Sequence, residues 1–348
     1  MASVRLIAKR AGVSTTTVSR VLNNHPQVSK EVRERVLAVS NEAGYSPTVG
    51  RRSNMNIAFV YTGESSLGSP FDGALMHGLS RSMEDYNYDL MIIDARRARQ
   101  PNETFTQMFL RKGIRGAILR TTAEARPVCE AIAEEGFPSV VIADRFDNPK
   151  VNYVYCDSCE SSREAVQHLI GLGHQRIAIC INVVDDSDHL DRLAGYRQAL
   201  TDHSIEFDNR LVLRVPADRF GGTQVLRRLM TMPDRPTALF ITDPVTAVGS
   251  LSAARKIGLK IPGDLSIVGF DDSEVRYSVT PELTSVCQDA TALGAEAFAS
   301  IKAIIERGDS EPVSGPGLVR KPLRTWFEIH ESTGPIKTTE PLVPQPAR

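Results

Sequence analysis

The feature that most constrains the fold of this chain is an alternation of apolar stretches with amphipathic segments, which starts at residue 57. The apolar stretches have the length of strands, and the segments between them repeat apolar residues at helical spacing. Strict alternation predicts parallel sheets covered by helices on both faces, and the number of strands favours two sheets over one. The predicted fold class is therefore α/β, with doubly wound parallel sheets.

The predicted strands cover residues 57–61, 90–94, 116–119, 139–144, 176–181, 211–215, 238–242 and 266–270. The predicted helices lie near residues 71–86, 102–112, 124–135, 160–171, 190–202, 221–232 and 245–257.

The first 45 residues, which we call the head, have a purely helical pattern. Ile7, Ala8 and Ala11 recur at helical spacing, and this helix ends at Gly12, because glycine readily adopts the positive φ of a helix end. Ser14 then caps a second helix, and its apolar face consists of Val18, Val21 and Leu22. Two short helices joined around a glycine predict a helix-turn-helix, which a third helix supports.

The outward face of the second helix carries short hydroxyl side chains and one guanidinium, and no carboxylate. Such groups suit base edges and phosphates, so we expect Arg20, Thr15 and Thr16 to contact bases. The side chains expected to contact phosphates are Ser14, Thr17, Ser19, Asn23 and Ser29, with Arg51 and Arg52 of the following linker. The alternative interpretation is an ordinary helical hairpin with a polar face.

The charge of the chain is divided unevenly. Residues 1–52 carry +6 and the remainder −7, although the whole chain has a net charge of −1. A basic head on an acidic body predicts nucleic acid bound at one end only. No apolar run approaches the roughly 20 residues that span a bilayer, and the first ten residues hold no apolar signal-peptide core. We therefore expect a cytoplasmic protein with no membrane partner.

Neither metal binding nor catalysis has a strong signal. Cys156 and Cys159 have the spacing of a zinc half-site or redox pair, but no second pair or nearby His doublet completes four ligands. The five cysteines are therefore expected to be free thiols, with no metal and no cofactor. The sequence has no G-x-S-x-G, no H-E-x-x-H and no G-x-G-x-x-G after a strand, so we do not expect an enzyme.

The head carries an ordered set of residues: Ala8, Ala11, Gly12, Val13, Ser14, Thr17, Val18, Ser19, Arg20, Val21, Leu22, Asn23, Val28, Ser29, Val32, Val36, Gly44, Tyr45, Ser46 and Pro47. This set resembles the N-terminal domain of the LacI/GalR family of bacterial transcription regulators. The resemblance implies a homodimer that represses transcription and binds a pseudo-palindromic operator of double-stranded DNA. It also implies a periplasmic-binding-protein-like body whose two lobes close on a small-molecule effector.

These patterns divide the chain into four parts: a head (1–45), a short linker (46–56), a two-lobed effector-binding and dimerisation domain (57–332) and a disordered tail (333–348). Lobe one is expected at about 57–156 plus 289–318, and lobe two at about 157–288 plus 319–332. The linker is several residues shorter than the family's hinge helix and has no Leu to insert into the minor groove. Only Val49 and Met55 are apolar candidates for that insertion.

Ligands of doubly wound sheets bind beyond the carboxyl ends of the strands, where several polar residues lie. Two segments, Arg192-Leu193-Ala194-Gly195 and Gly269-Phe270-Asp271-Asp272, resemble effector-contacting motifs of the family. The predicted effector site is Phe71, Asp144, Asp188, Arg192, Asp243 and Asp271. The alternative is structural: a helix cap for Asp243, a surface ion pair for Arg192 and a core position for Phe71.

The chemistry of these residues favours a neutral sugar or polyol as effector. Carboxylates and a guanidinium suit adjacent hydroxyls, and the acids at Asp186 and Asp188 disfavour an anionic effector. Two other functions remain open. One is a sugar-binding or sugar-processing protein with a vestigial head, and the other is a regulator that binds a protein partner through its body and no ligand.

Overall fold

The computed structural model of the chain describes residues 3–22, 28–42, 56–64, 66–310 and 318–336. The helices in these ranges are α1 (Val4–Ala11), α2 (Thr15–Leu22), α3 (Lys30–Glu42), α4 (Pro70–Met83), α5 (Ala95–Ala98), α6 (Phe105–Arg111), α7 (Arg126–Glu134), α8 (Cys159–Gly171), α9 (Ser187–Asp202), α10 (Arg219–Met230), α11 (Pro244–Lys256) and α12 (Ala290–Ser310). None of these described helices combines the length and the hydropathy that a bilayer crossing requires.

The strands in the same ranges are β1 (Asn56–Tyr61), β2 (Asp89–Asp94), β3 (Ile114–Arg120), β4 (Ser139–Ile142), β5 (Tyr153–Asp157), β6 (Ile177–Asn182), β7 (Val212–Val215), β8 (Ala238–Ile241), β9 (Ser266–Asp271), β10 (Ser285–Cys287), β11 (Arg320–Arg324) and β12 (Trp326–Glu328). They form two six-stranded sheets, in the orders β11-β5-β4-β3-β1-β2 and β12-β10-β9-β8-β6-β7. Neighbouring strands run parallel except β12, which is antiparallel to β10. The prediction of an α/β chain with two parallel sheets is confirmed.

The head folds because its helices begin and end where the sequence dictates. The Ser3 side chain accepts a hydrogen bond from Leu6 N and starts α1, and Gly12 ends it with a φ of +67°. Ser14 Oγ accepts from Thr17 N at 3.0 Å and starts α2. The buried side chains of the three helices form one apolar cluster of Ile7, Ala8, Ala11, Val18, Val21 and Val36. This packing leaves the other face of α2 exposed.

Lobe one consists of the first sheet with α4–α7 and α12, and lobe two of the second sheet with α8–α11. In the described residues the chain passes between the lobes after β5, between β10 and α12, and at Thr325 between β11 and β12. The sequence placed residues 319–332 in lobe two, but Arg320–Arg324 pairs with β5 in the sheet of lobe one. The boundary therefore lies at Thr325.

Glycines let two helices of lobe one pack at backbone distance. A Cβ on Gly78 of α4 would lie 1.9 Å from Thr291 O, and one on Gly294 of α12 would lie 2.2 Å from Leu75 O. This contact holds α12, which the sequence patterns did not predict, against the lobe.

The predicted tail begins too early. Gly334 N donates to Ser266 Oγ at 3.1 Å, and Ile336 N donates to Leu172 O at 3.1 Å, so residues 333–336 pack on lobe two. The remainder of the tail, most of the linker, and Asn23, Arg51 and Arg52 lie outside the described residues. All five cysteines are free thiols.

Candidate functional site

The exposed face of α2 is the first candidate site. Thr15, Thr16, Ser19 and Arg20 are exposed on this helix, and Ser14 is exposed just before it. Thr17 is half-buried, and its hydroxyl lies 2.8 Å from that of Ser14, so this pair also stabilises the start of the helix. The described part of the head thus presents the predicted base-contacting side chains together on one face. Ser29 starts α3, where its Oγ accepts from Val32 N, and it is exposed as well.

The second candidate site is a cleft between the carboxyl ends of the two sheets. Ala123 N, beyond β3, donates to Asp185 O, beyond β6, at 3.1 Å. On the rim, Arg145 of lobe one binds Asp191 of α9 through two nitrogens, each 2.5 Å from a carboxylate oxygen. We call this ion pair the rim bridge. Both contacts join the lobes, so the side chains at the strand ends face each other across a narrow space.

Lobe two contributes Arg192, which is buried and held in place by three groups. Its guanidinium donates to Thr242 O at 2.7 Å and lies 3.5 Å from the centre of the Phe270 ring. It also lies 3.8 Å from a carboxylate oxygen of Asp188, one turn earlier on α9. The plane of the guanidinium is therefore fixed by the carbonyl and the ring, and its buried Nε has no hydrogen-bond partner among the described residues.

The start of α9 brings two carboxylates together in the cleft. Asp186 caps the helix by accepting from His189 N at 2.8 Å. Burial raises the pKa of Asp186, but the contacts with His189 and the charge of Arg120 outweigh it and hold this pKa below its usual value. Asp188 has the opposite shift, because burial and the neighbouring Asp186 raise its pKa more than Arg192 lowers it. One oxygen of Asp188 has no hydrogen-bond partner in the described residues.

The residue just after β9, Asp272, belongs to the motif named from the sequence but not to the predicted effector site. Asp272 is only 8% exposed, and its buried Oδ1 has no hydrogen-bond partner in the ranges that the structure describes. Burial, together with the charges of Asp243 and Asp271, raises its pKa to about 7, while Arg192 opposes this shift. The signal was present in the sequence, since Asp272 directly follows the predicted Asp271. Only the fold shows which of the two carboxylates has an unused oxygen.

Lobe one contributes an aromatic ring and a second guanidinium. Phe71, at the start of α4, is half-buried, and the guanidinium of Arg120 lies 5.3 Å from the centre of its ring. Arg120 is oriented by Asp72, which lies 3.4 Å away and also accepts from Tyr61 Oη at 2.6 Å. Neither Asp72 nor Arg120 was predicted, although one follows Phe71 and the other ends β3.

Three of the six predicted effector residues have carboxylates that serve their own lobes. Asp144 binds Arg126 at 2.6 Å, and Asp243 caps α11 by accepting from Thr246 N at 2.7 Å. Asp271 accepts hydrogen bonds from three backbone N–H groups and from the guanidinium of Arg276. The structure therefore favours Asp272 over Asp271 as a ligand contact. It brings the other three predicted residues, Phe71, Asp188 and Arg192, to the cleft.

Comparisons with known proteins find relatives of both the head and the body. Residues 4–48 match the model of bacterial regulatory proteins of the lacI family, and residues 166–321 match that of a periplasmic binding protein-like domain. The chain is 31% identical to the HTH-type transcriptional regulator DegA of Bacillus subtilis (strain 168), over 83% of this chain and 87% of DegA. It is 32% identical to the HTH-type transcriptional repressor CytR of Escherichia coli (strain K12), over 85% of this chain and 88% of CytR.

A solved structure shows the same fold over nearly the whole chain. The transcriptional regulator CelR in complex with cellobiose is 27% identical to this chain and superposes with a TM-score of 0.68, covering 95% of this chain and 100% of CelR.

Proposed function

Because the chain belongs to the LacI family of bacterial regulatory proteins, we propose that a small polyhydroxylated molecule, bound between its lobes, controls its binding to operator DNA. The chain is a DNA-binding transcription regulator and not an enzyme. We further propose that it acts in the cytoplasm as a homodimeric repressor, with one α2 helix in each half of a pseudo-palindromic operator.

One observation carries the effector proposal: buried polar atoms without hydrogen-bond partners collect at the facing ends of the two sheets. Among the described residues these atoms include Asp188 Oδ1, Arg192 Nε, Asp272 Oδ1 and Gln288 Oε1. A buried polar atom left unpaired costs about 1–3 kcal/mol, so such a set is expected where a ligand supplies the missing partners.

The groups around the cleft suit a sugar or polyol. A guanidinium and carboxylates hydrogen-bond adjacent hydroxyls, and the half-buried Phe71 ring offers an apolar surface to the C–H face of a ring. The cellobiose in the CelR complex is a polyhydroxylated molecule of this class.

Control of DNA binding follows from the two contacts that join the lobes. The rim bridge and the Ala123–Asp185 hydrogen bond lie beside the cleft, so ligand in the cleft changes how the lobes close. Lobe closure changes the placement of the two heads in a dimer, which is a coupling between distinct sites.

A thermal-shift screen over sugars, polyols, nucleobases and amino acids tests the effector class. We expect sugars or polyols to raise the Tm of the wild-type chain and to leave that of Arg192→Ala unchanged. The matched control is Arg197→Ala, which removes an exposed guanidinium of the same helix that packs on Phe207. A screen in which only nucleobases or amino acids raise the Tm contradicts the proposed class.

A further inference from the structure

The carboxylates of the cleft outnumber its guanidiniums. Asp72 lies at the start of α4, Asp186 and Asp188 at the start of α9, and Asp272 just after β9. Their charges are opposed by Arg120 and Arg192, and the His189 ring lies 2.7 Å from Asp186. Asp72, Asp188 and Asp272 are buried, so water screens their charges poorly and a carboxylate without compensation is costly there.

Both guanidiniums are already engaged. Arg120 faces Asp72 at 3.4 Å, and Arg192 donates to Thr242 O and lies 3.8 Å from Asp188. These contacts leave Asp188 Oδ1 and Asp272 Oδ1 without any hydrogen-bond donor in the described part of the chain. The side chains of Asp188 and Asp272 are more than nine-tenths buried. A cationic hydrogen-bond donor in the cleft would pair with these two oxygens and balance their charge.

We propose that the effector carries a positively charged amine, which the unpartnered oxygens of Asp188 and Asp272 hold. This inference rests on the proposed function and narrows the effector to an amino sugar or an amine-bearing polyol.

An ammonium group satisfies these oxygens better than a hydroxyl does. A hydroxyl donates one hydrogen bond and carries no charge, whereas an alkylammonium donates three and supplies the positive charge that the site lacks. A divalent metal ion is a poorer match, because Ca²⁺ takes six to eight oxygen ligands and no group of three metal-binding side chains converges within the described residues. The same carboxylates repel phosphorylated and carboxylated molecules.

The test compares matched pairs of compounds by isothermal titration calorimetry on the full chain at pH 7, where the amines are mainly protonated. The pairs are glucosamine with glucose, galactosamine with galactose, and glucamine with sorbitol. In at least one pair we expect the amine to bind roughly 10- to 100-fold more tightly than its neutral partner, the range for hydrogen bonds to charged groups.

Isosteric variants then locate the amine. Asp188→Asn and Asp272→Asn keep the shape of the side chains and remove their charge, so each is expected to reduce the preference for the amine and to retain binding of the neutral partner. The control is Asp202→Asn, at the exposed end of α9, where the preference is expected to stay unchanged.

The outcomes separate this inference from the proposed function. Equal binding of amine and neutral partner, abolished by Arg192→Ala, overturns the inference and leaves the proposed function standing. A preference for the amine that survives in both Asn variants also overturns it, because the amine is then held elsewhere. Absence of binding in all three pairs counts against both the inference and the sugar class.

Discussion

The polar side chains of α2 and those of the cleft differ in their access to water. Thr15, Thr16 and Arg20 are exposed, so water satisfies them until DNA binds. Asp188 and Asp272 are buried, and each has one carboxylate oxygen without a hydrogen-bond partner in the part of the chain that the structure describes. The head therefore needs no partner to satisfy its polar face, whereas the cleft has buried carboxylate oxygens that the proposed ligand would satisfy. This difference supports the proposal that the body binds the ligand and the head binds the DNA.

The largest expected effect comes from Arg192→Ala. The change removes the cation nearest to Asp188 and empties the space between Thr242 and Phe270. Breaking a buried pair by removing one partner costs about 3–5 kcal/mol, and we expect that loss in urea unfolding, with loss of ligand binding. Arg197→Ala, on the exposed side of α9, is expected to cost far less. If both variants lost a similar free energy of unfolding, Arg192 would be no more important to the cleft than an exposed arginine of the same helix.

Asp272→Asn is expected to stabilise the chain at high pH. The folded-state pKa of Asp272 is about 7, above the usual value of 3.8, so between these values the folded chain holds a proton that the unfolded chain has released. Stability of the wild type therefore falls as pH rises through this window, and Asn removes the fall. At pH 8 the variant gains up to about 4 kcal/mol, and at pH 4 less than about 1 kcal/mol.

Urea unfolding at both pH values checks this prediction. The control is Asp202→Asn, because the Asp202 carboxylate is exposed and its pKa is lowered by hydrogen bonds from Arg163 and Gln198. That variant is expected to be slightly less stable at pH 8, the opposite sign. If Asp272→Asn raised the free energy of unfolding equally at both pH values, the raised pKa of Asp272 would be contradicted.

Arg20→Ala tests the head. If the guanidinium contacts a base, the variant loses about 1–3 kcal/mol of operator binding and discriminates less at that base pair. Fluorescence anisotropy with a selected operator and single-base variants measures both effects. Lys30→Ala removes an exposed charge of α3 as a control, and we expect a smaller loss. A uniform loss on all DNA sequences would make Arg20 a phosphate contact instead.

Arg145→Ala has the smallest expected effect, because this guanidinium is partly exposed. Loss of the rim bridge is expected to open the lobes slightly and weaken ligand binding by less than about tenfold. The fluorescence of Trp326, the sole tryptophan, reports lobe closure because it follows the crossover at Thr325. Arg163→Ala breaks an ion pair within lobe two and is expected to leave both readouts unchanged. Exchanging the charges with Arg145→Asp and Asp191→Arg is expected to restore closure.

The sequence predicts the head and the sheets because their signals are local. Helical spacing places Val18 and Val21 inside and Arg20 outside, and apolar runs mark the central strands. It misses β11 because three basic residues and a proline do not resemble a strand, and the edge position is what permits them. It predicts Asp271 in place of Asp272 because the deciding contacts come from the loop that follows β9.

The rim bridge escapes sequence analysis for the same reason. Arg145 and Asp191 lie 46 residues apart and in different lobes, so only the fold brings them together. Arg120 and Asp72 are likewise 48 residues apart. Charge pairs of this kind have no spacing that a sequence pattern detects.

The central claim is that occupation of the cleft changes operator binding by the head. The direct measurement is an anisotropy titration of a selected operator with the wild-type chain and with Arg192→Ala, each with and without a ligand that raises the wild-type Tm. We expect the ligand to change the operator Kd of the wild type by roughly 5- to 150-fold, the usual range for coupled sites, and to leave that of Arg192→Ala unchanged. An operator Kd that is the same with and without bound ligand in the wild type would contradict the claim.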